Sequence, residues 1–444
     1  MIIMSYLRKE RFTKYWKNRR NKTIPKACRY GYPDLYASRV YGPYVENVNG
    51  TKFLDLTSSI HTCNVGYSHP AIIKAINDQT RSISSYSSGL SETPIKIRLA
   101  EKLLELTPRG LRDGKVAFVN SGSGASDAAM QIAVDFTRRK RFLAFQGSWH
   151  GWTIGGASIT DSPALFRKHS HLLIQGCSFT PYPYCYRCQF GLKEDSCGQQ
   201  CIDKLKSVLK TGSGTQKVGA CFIEPIQTHG GIVIPPSKFM KRLREICSKD
   251  GILLIVDEVV TGFGRTGSMW GINHHAISPD ILLCGKPMAS GLPLGAVIGR
   301  TRIMEAWQVG VPSSFVGNPL SCAASLATMQ TIKKEGLILK SSEKGQLFKS
   351  RITEISEKSE IVGDVRGLGL LIGIELVKDK GNKAPNAPGV SRFLKEAFKQ
   401  QLLLDRAGIY DNVIRISPPL NIADKELERA LEIIESCLKK IERG

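Results

Sequence analysis

Several features that would place a protein in a class at once are missing from this chain. None of its 444 residues belongs to an apolar run as long as the ~18 residues that a transmembrane helix needs, so we expect no membrane association. The apolar run at the start ends before Arg8 and is far shorter than the core of a secretory signal. Together these absences predict a cytoplasmic protein.

Acidic residues are scarce relative to basic ones, with 39 Asp and Glu against 62 Lys and Arg and a net charge of +23. Such an excess can indicate a nucleic-acid or membrane-surface partner. The basic residues are spread along the whole chain rather than gathered into one stripe, although they are densest between Arg8 and Arg29. This spread favours a solvated basic surface, and we expect that nucleic acid is not a partner.

The two most familiar phosphate-binding signatures are also absent from the segment 120–127, which lacks the last glycine of a G-x-G-x-x-G motif and the closing Gly-Lys-Ser/Thr of a P-loop. In their place, residues 120–127 (NSGSGASD) follow a short apolar run and precede a helical pattern. Small residues at the start of a helix let backbone N–H groups approach a phosphate. Taken alone, however, this segment could equally be an ordinary helix cap.

Short apolar runs alternate with helical segments along most of the chain. Runs that are apolar on both faces are typical of strands in a mostly parallel sheet covered by helices. They occupy residues 116–119, 142–145, 218–223, 253–256, 281–283 and 296–298. The pattern predicts an α/β fold, in which ligands bind at the carboxyl ends of the strands.

The two ends of the chain differ from the middle. Residues 1–70 mix turns and short strands, with a hairpin signal at Asn49-Gly50. After about residue 325 the pattern becomes helix, then a strand at Gly369–Glu375, then helix again. We therefore predict a large domain over residues 71–324. A smaller α+β domain is predicted from residues 1–70, which include an N-terminal arm, and residues 325–444.

Three residues at predicted strand ends carry the chemistry. Asp257 ends a buried strand, where a carboxylate needs a partner such as a cationic ring nitrogen, backbone N–H groups or Arg265. Lys286 follows the next strand and would become a nucleophile if its pKa were lowered, although a lone Lys usually reaches solvent. Trp149 could stack on a flat ligand or pack in the core. With the small-residue segment, they form the set that pyridoxal phosphate needs.

The residues of these motifs and their order along the chain resemble those of the class III aminotransferases, the group of ornithine, 4-aminobutyrate and ω-amino acid aminotransferases. The similarity runs from about Gly42 to Pro419 and is densest at residues 254–267 (LIVDEVVTGFGRTG), followed by residues 279–281 and 285–295. The resemblance implies the pyridoxal-phosphate-dependent transferase fold of type I and a transaminase of amino acid metabolism.

The resemblance also implies roles for individual residues. Lys286 would form the imine with pyridoxal 5'-phosphate and shuttle the proton, and Asp257 would pair with the ring nitrogen. Gly122 and Ser123 would bind the phosphate, and Trp149 would stack on the ring.

Two further residues follow from the same resemblance. Ser314, where the family usually has Thr, would reach the phosphate of the neighbouring subunit, which implies a homodimer with shared active sites. Arg415 would bind the substrate carboxylate through both guanidinium N–H pairs.

The chain departs from the family at positions that contact substrate. Trp152 stands where ω-amine-using members often have Arg, and His229 where they have Glu, while Val260 and Gly124 replace a usual Gln and Glu. We expect an amino group to pass from an amino acid or ω-amino acid to a 2-oxo acid. Racemisation, epimerisation or a decarboxylation like that of dialkylglycine decarboxylase remains the alternative, and a non-catalytic nucleic-acid or scaffold protein is a third.

A cysteine-rich segment stands apart from these motifs. Cys185 and Cys188 are followed by Cys197 and Cys201, and the spacing within each pair is one that a metal could use. The eight-residue gap between the pairs is short for two zinc knuckles. A structural metal site, free thiols and disulfides all remain open.

Overall fold

The structure, a computed structural model, describes residues 2–87, 89–161, 167–211, 217–310 and 313–443. Its strands are β1 (Ala37–Tyr41), β2 (Tyr44–Asn47), β3 (Lys52–Asp55), β4 (Lys115–Val119), β5 (Arg141–Phe145), β6 (Cys177–Thr180), β7 (Val218–Ile223), β8 (Leu253–Asp257), β9 (Ile281–Cys284), β10 (Gly295–Gly299), β11 (Val362–Leu368), β12 (Leu371–Leu376), β13 (Leu402–Leu403), β14 (Asp405–Ala407) and β15 (Val413–Ile416). Its helices are α1 (Ile2–Thr23), α2 (Pro70–Ser82), α3 (Pro94–Leu106), α4 (Gly122–Thr137), α5 (Ile154–Ser158), α6 (Gln200–Thr211), α7 (Ser237–Asp250), α8 (Thr301–Met304), α9 (Pro319–Lys334), α10 (Leu337–Glu357), α11 (Ala387–Lys399) and α12 (Asp424–Glu442).

A seven-stranded sheet in the order β4-β10-β9-β8-β7-β5-β6 forms the centre of the molecule. Its strands run parallel except for β10, which is antiparallel to both β4 and β9. Every residue of β7, β8 and β9 is buried, because helices cover both faces of the sheet. The predicted α/β fold with a mostly parallel sheet is confirmed.

Two smaller sheets draw on both ends of the chain. In the first, the order is β1-β2-β3-β13, and the short strand β13 from the C-terminal part pairs in parallel with β3. The second is antiparallel in the order β11-β12-β15-β14. The division of the chain at residues 70 and 324 stays a prediction. Helix α9 runs through residue 324, so no break in secondary structure marks that boundary.

Local structure corrects the sequence interpretation at the N-terminal arm and refines it at one predicted strand. The N-terminal arm begins with the helix α1 rather than with turns and short strands. After Leu7 basic and polar residues predominate, so the apolar pattern of a buried helix does not continue along the segment. The strand predicted at Gly369–Glu375 is confirmed as β12 (Leu371–Leu376), which begins two residues later because Gly369 lies in the hairpin turn between β11 and β12. Gly369 turns the chain with a φ of +56°, and a Cβ there would lie 2.4 Å from the backbone carbon of Thr266.

The cysteine-rich segment folds beside the central sheet, and all four of its thiols line one cavity of about 400 Å³. They are free thiols. Within the described parts of the chain, no group of three or more His, Cys, Asp or Glu side chains is placed to hold a metal ion. The structure therefore gives the metal interpretation no support. In the same parts of the chain, no helix combines the length and the apolar character that crossing a membrane requires.

A buried arginine joins the central sheet to both chain ends. Arg265 is fully buried, and one terminal nitrogen of its guanidinium donates to Asn64 Oδ1 at 2.7 Å and to Ser58 Oγ at 3.3 Å. The other donates to the carbonyl oxygens of Leu370, at 2.9 Å, and Pro418. Burial lowers the pKa of Arg265 to about 9. The sequence interpretation that offered Arg265 as a partner of Asp257 was wrong, because these four oxygens receive its hydrogen bonds.

We expect Arg265→Met to lower the thermal unfolding midpoint by roughly 5–10 °C, because a side chain of similar length leaves buried acceptors without their donor. Differential scanning calorimetry measures the shift. The control is Arg242→Ala, which removes an exposed ion pair with Glu245 and should shift the midpoint by less than about 2 °C. Equal midpoints for Arg265→Met and the wild type would contradict this role.

Candidate active site

One cavity of about 790 Å³ opens at the carboxyl ends of the central strands. It brings together the residues that the sequence proposed for cofactor and substrate, with Ser314 as the exception. They are Gly122, Ser123, Trp149, Trp152, His229, Asp257, Lys286 and Arg415. This convergence follows from the parallel sheet, because the loops after adjacent strands meet at one edge.

Lys286 follows β9 and Gly285 and begins a short 3₁₀ turn with a left-handed φ of +37°. Its side chain is enclosed by the walls of the cavity. Burial lowers the pKa of Lys286 from 10.5 to about 8, with the charge of Arg415 acting in the same direction and that of Asp257 opposing it. An appreciable fraction of the amine is therefore neutral near neutral pH, as a nucleophile for a carbonyl group requires.

Asp257 ends β8 and holds a histidine that sequence reasoning did not single out. Its Oδ2 lies 2.8 Å from Nδ1 of His150, and its Oδ1 accepts the backbone N–H of Val259 at 3.0 Å. His150 is 107 residues away in the chain, so no spacing in the sequence links the two. These two contacts fix the orientation of a carboxylate that would otherwise be costly to bury.

The start of helix α4 leaves room for an anion. Ser121 caps the helix by accepting the N–H of Gly124 at 3.1 Å, and Gly122 packs against Val259 so closely that a Cβ would lie 2.8 Å from its Cγ1. The hydroxyl of Ser123 accepts the N–H of Trp152 at 3.1 Å. Backbone N–H groups at a helix N-terminus suit a phosphate. Together with a buried carboxylate and an amine of lowered pKa in the same cavity, this segment fits pyridoxal phosphate.

Aromatic rings form one wall of the cavity. The ring of Trp149 lies 4.9 Å from that of Trp152 in an edge-on arrangement and 4.5 Å from that of His229. Glu224 Oε1 accepts the backbone N–H of Trp149 at 3.1 Å and holds the segment in place. Burial, followed by the charge of Arg415, lowers the pKa of His229 to about 4. His229 is therefore a neutral part of this wall.

Arg415 carries a partner that the sequence did not reveal. It lies on β15 directly opposite Asp405 on β14, and the two side chains form an ion pair. Both line the cavity. The pairing follows from the register of the two strands, which a single sequence does not show. The carboxylate of Asp405 therefore already partly neutralises the positive charge of the Arg415 guanidinium.

Ser314 lies apart from this cavity. It is exposed and lines a separate groove together with Trp307 and Val316. Its neighbour Ser313 accepts a hydrogen bond from Asn120, at the start of the small-residue segment, at 3.0 Å. The structure therefore places Ser314 at the surface, near the phosphate segment but outside the cavity of its own chain.

Comparison with known proteins agrees with this geometry. The sequence pattern of "Aminotransferase class-III" matches residues 28–438. Over 419 residues the chain is 37% identical to the alanine/serine racemase of Pyrococcus horikoshii, covering 92% of this chain and 88% of that protein. It is 32% identical over 424 residues to the 4-aminobutyrate aminotransferase GabT of Escherichia coli, covering 94% and 96%.

A solved structure gives the same result. The PLP-bound amine transaminase from an uncultivated Pseudomonas species superposes with a TM-score of 0.86 at 30% identity, covering 94% of this chain and 97% of that one. Fold and site together define a pyridoxal-phosphate-dependent enzyme of fold type I. The chain belongs to the class III aminotransferases, and it is a transaminase whose cofactor is pyridoxal 5'-phosphate.

We expect the amine of Lys286 in the cofactor-free protein to titrate near pH 8, well below the ~10.4 of an exposed lysine. Competitive acetylation at a series of pH values, read by mass spectrometry, measures the midpoint. Asp257→Asn should lower it further, because this carboxylate stabilises the ammonium form. Asp411→Asn, an exposed change of the same charge, is the control. A midpoint that rises in Asp257→Asn would contradict the assignment.

Proposed function

We propose that the enzyme moves an amino group from an amino acid or ω-amino acid, such as 4-aminobutyrate, to a 2-oxo acid, with Lys286 carrying the cofactor. The observation that carries this proposal is the meeting of Lys286, Asp257 and the start of helix α4 in one cavity. Each of these features alone is common in proteins. Together they match one ligand, pyridoxal phosphate, because the carboxylate suits its ring nitrogen, the amine suits its carbonyl group and the backbone N–H groups suit its phosphate.

When bound, pyridoxal phosphate supplies an electron sink for the carbon that bears the amino group. Asp257, oriented by His150, would hold the protonated ring nitrogen, and Gly122 and Ser123 would hold the phosphate. Trp149 would lie against the ring. Lys286 Nζ would take the proton from the substrate carbon that bears the amino group and would deliver it to the imine carbon of the cofactor. Its pKa of about 8 suits both directions of that transfer.

The substrate carboxylate would bind Arg415 in exchange for Asp405. A guanidinium that is already paired binds a second carboxylate only if the first moves away or shares it. The side chain of Asp405 is one-third exposed and has room to move, whereas that of Arg415 is 9% exposed and is fixed in its strand. Trp152 and His229 would contact the remainder of the substrate.

We also infer a homodimer with shared active sites, in which Ser314 contacts the phosphate held by the neighbouring subunit. Its exposure in a groove beside the phosphate segment supports this arrangement. The cytoplasmic location stays a prediction from the sequence.

Racemisation of an amino acid is a second candidate, supported by the 37% identity to the alanine/serine racemase of Pyrococcus horikoshii. Both reactions begin with removal of the same proton. They differ in where the proton returns, and the pocket residues Trp152, His229 and Val260 stand where the chain departs from the ω-amine-using members.

We expect a yellow protein that bleaches with amine donors and regains its colour when a 2-oxo acid is added, as followed by absorption spectroscopy. Lys286→Ala should lower turnover by at least about a thousandfold, because it removes the group that moves the proton. The control Lys340→Ala changes an exposed lysine and should behave as the wild type does.

Normal turnover by Lys286→Ala would refute the proposal. Colour that persists while a pure amino acid loses its optical activity without any oxo acid would favour the racemase.

We expect Asp405→Asn to lower the KM for carboxylate-bearing donors about fivefold at unchanged kcat, because the carboxylate no longer displaces a countercharge. Arg415→Lys should raise that KM roughly 10–100-fold through loss of the bidentate contact. Steady-state kinetics measures both. Asp411→Asn removes an exposed charge outside the cavity and is the control. A higher KM in Asp405→Asn would show that Asp405 does not compete with substrate.

A further inference from the structure

One wall of the active-site cavity is a left-handed turn built without glycine. Ser58, Ser59, Ile60 and His61 have φ values of 48°, 53°, 55° and 66° in succession. For an L-amino acid this conformation costs roughly 1–2 kcal/mol per residue, and it normally occurs at single positions. Four such residues in a row persist only where surrounding contacts fix them, and strain of this kind clusters at functional sites.

Contacts from three directions fix the turn. Asp55 accepts the N–H groups of Thr57 at 2.7 Å and of Ser59 at 3.3 Å. Ser58 donates its hydroxyl to the carbonyl of Ser417 at 2.7 Å and accepts from the guanidinium of Arg265. The turn is therefore held in a rigid frame, and the side chain that it directs into the cavity has a defined position.

That side chain is His61, which is 1% exposed and lines the cavity. Both of its ring nitrogens are buried, and neither has a hydrogen-bond partner among the described residues. A buried polar group without a partner costs roughly 1–3 kcal/mol, and such groups in native structures usually serve a bound molecule. Two unpartnered nitrogens on a strained turn indicate a ligand for His61.

The surrounding charges define the chemistry of that ligand. Burial first, and then the cationic groups of Arg415, Lys286 and Arg265, hold the pKa of His61 well below its ordinary value. The imidazole is therefore neutral, with one N–H donor and one lone pair. A cationic ligand would be repelled by the same three groups, and an apolar one would leave both nitrogens unpaired. An anionic oxygen satisfies the N–H donor and is attracted by Arg415.

We propose that His61 is a further substrate-binding residue, and that its N–H donates to the substrate carboxylate that Arg415 also binds. This inference rests on the proposed function only in that the substrate carries a carboxylate. It predicts that the enzyme discriminates against plain amines, because these leave His61 unpaired. Loss of a hydrogen bond to a charged group lowers binding roughly 10–100-fold.

The test uses His61→Gly in the holoenzyme, because glycine adopts a φ of +66° without strain and so removes the imidazole while keeping the turn. Titration calorimetry with butanoate, an unreactive monocarboxylate, measures binding without turnover. We expect the dissociation constant to rise at least about tenfold and to recover in part when free imidazole is added. His61→Asn, which tolerates the same φ and keeps an N–H donor, should retain most of the affinity.

Ser59→Gly is the matched control, since it relaxes the same turn without changing the imidazole and should bind butanoate within about twofold of the wild type. Unchanged butanoate affinity in His61→Gly would overturn the proposal, as would weaker cofactor binding with intact butanoate binding. Neither measurement depends on transamination, so a failed donor-bleaching experiment would count against the proposed function and not against His61.

Discussion

Arg265 brings a full positive charge into the interior without any carboxylate to neutralise it among its hydrogen-bond partners, which are all neutral oxygens. A buried charge of this kind is tolerated only when its N–H groups find acceptors in fixed positions. Those acceptors come from the segment before residue 70 and from the two C-terminal turns that flank β12 and β15. Segments from both ends of the chain that lie next to the cavity are therefore held in place by hydrogen bonds to one residue outside it, Arg265.

The cavity itself is lined by charged groups of both signs. Its basic side chains are Lys286, Arg406 and Arg415, and its carboxyl groups are Glu224, Asp257 and Asp405, of which Asp257 and Asp405 differ most in how they are held. Asp257 is fixed by His150, whereas Asp405 is partly exposed and, within the part of the chain that the structure describes, bonds to Arg415 and to the backbone N–H of its neighbour Arg406. One countercharge is thus rigid and the other movable. The rigid one suits a resident cofactor, and the movable one suits a substrate that enters and leaves.

The sequence predicted the parts of this site that depend on one strand at a time. Lys286 and Asp257 were identifiable because each follows an apolar run, and the carboxyl ends of parallel strands share an edge. Three further residues were not identifiable. His150 contacts Asp257 from a segment far away in the chain, Asp405 meets Arg415 through the register of two strands, and His61 enters the cavity from a turn with unusual φ values. The N-terminal helix was missed because the apolar residues of this segment show no sustained helical pattern. The partners of Arg265 were missed because they lie in segments that are far apart in the chain and that folding alone brings together.

The pairing of β13 with β3 has a consequence for biosynthesis. The N–H of Leu54 donates to the carbonyl of Gln401 and that of Leu56 to the carbonyl of Leu403, so β3 is completed by residues that lie far beyond it in the chain. Until some 350 further residues have left the ribosome, the outer edge of β3 has no partner. An unpaired apolar strand edge is a site of aggregation. The edge of β3 therefore stays open to pairing with other strands for as long as the intervening residues are being made.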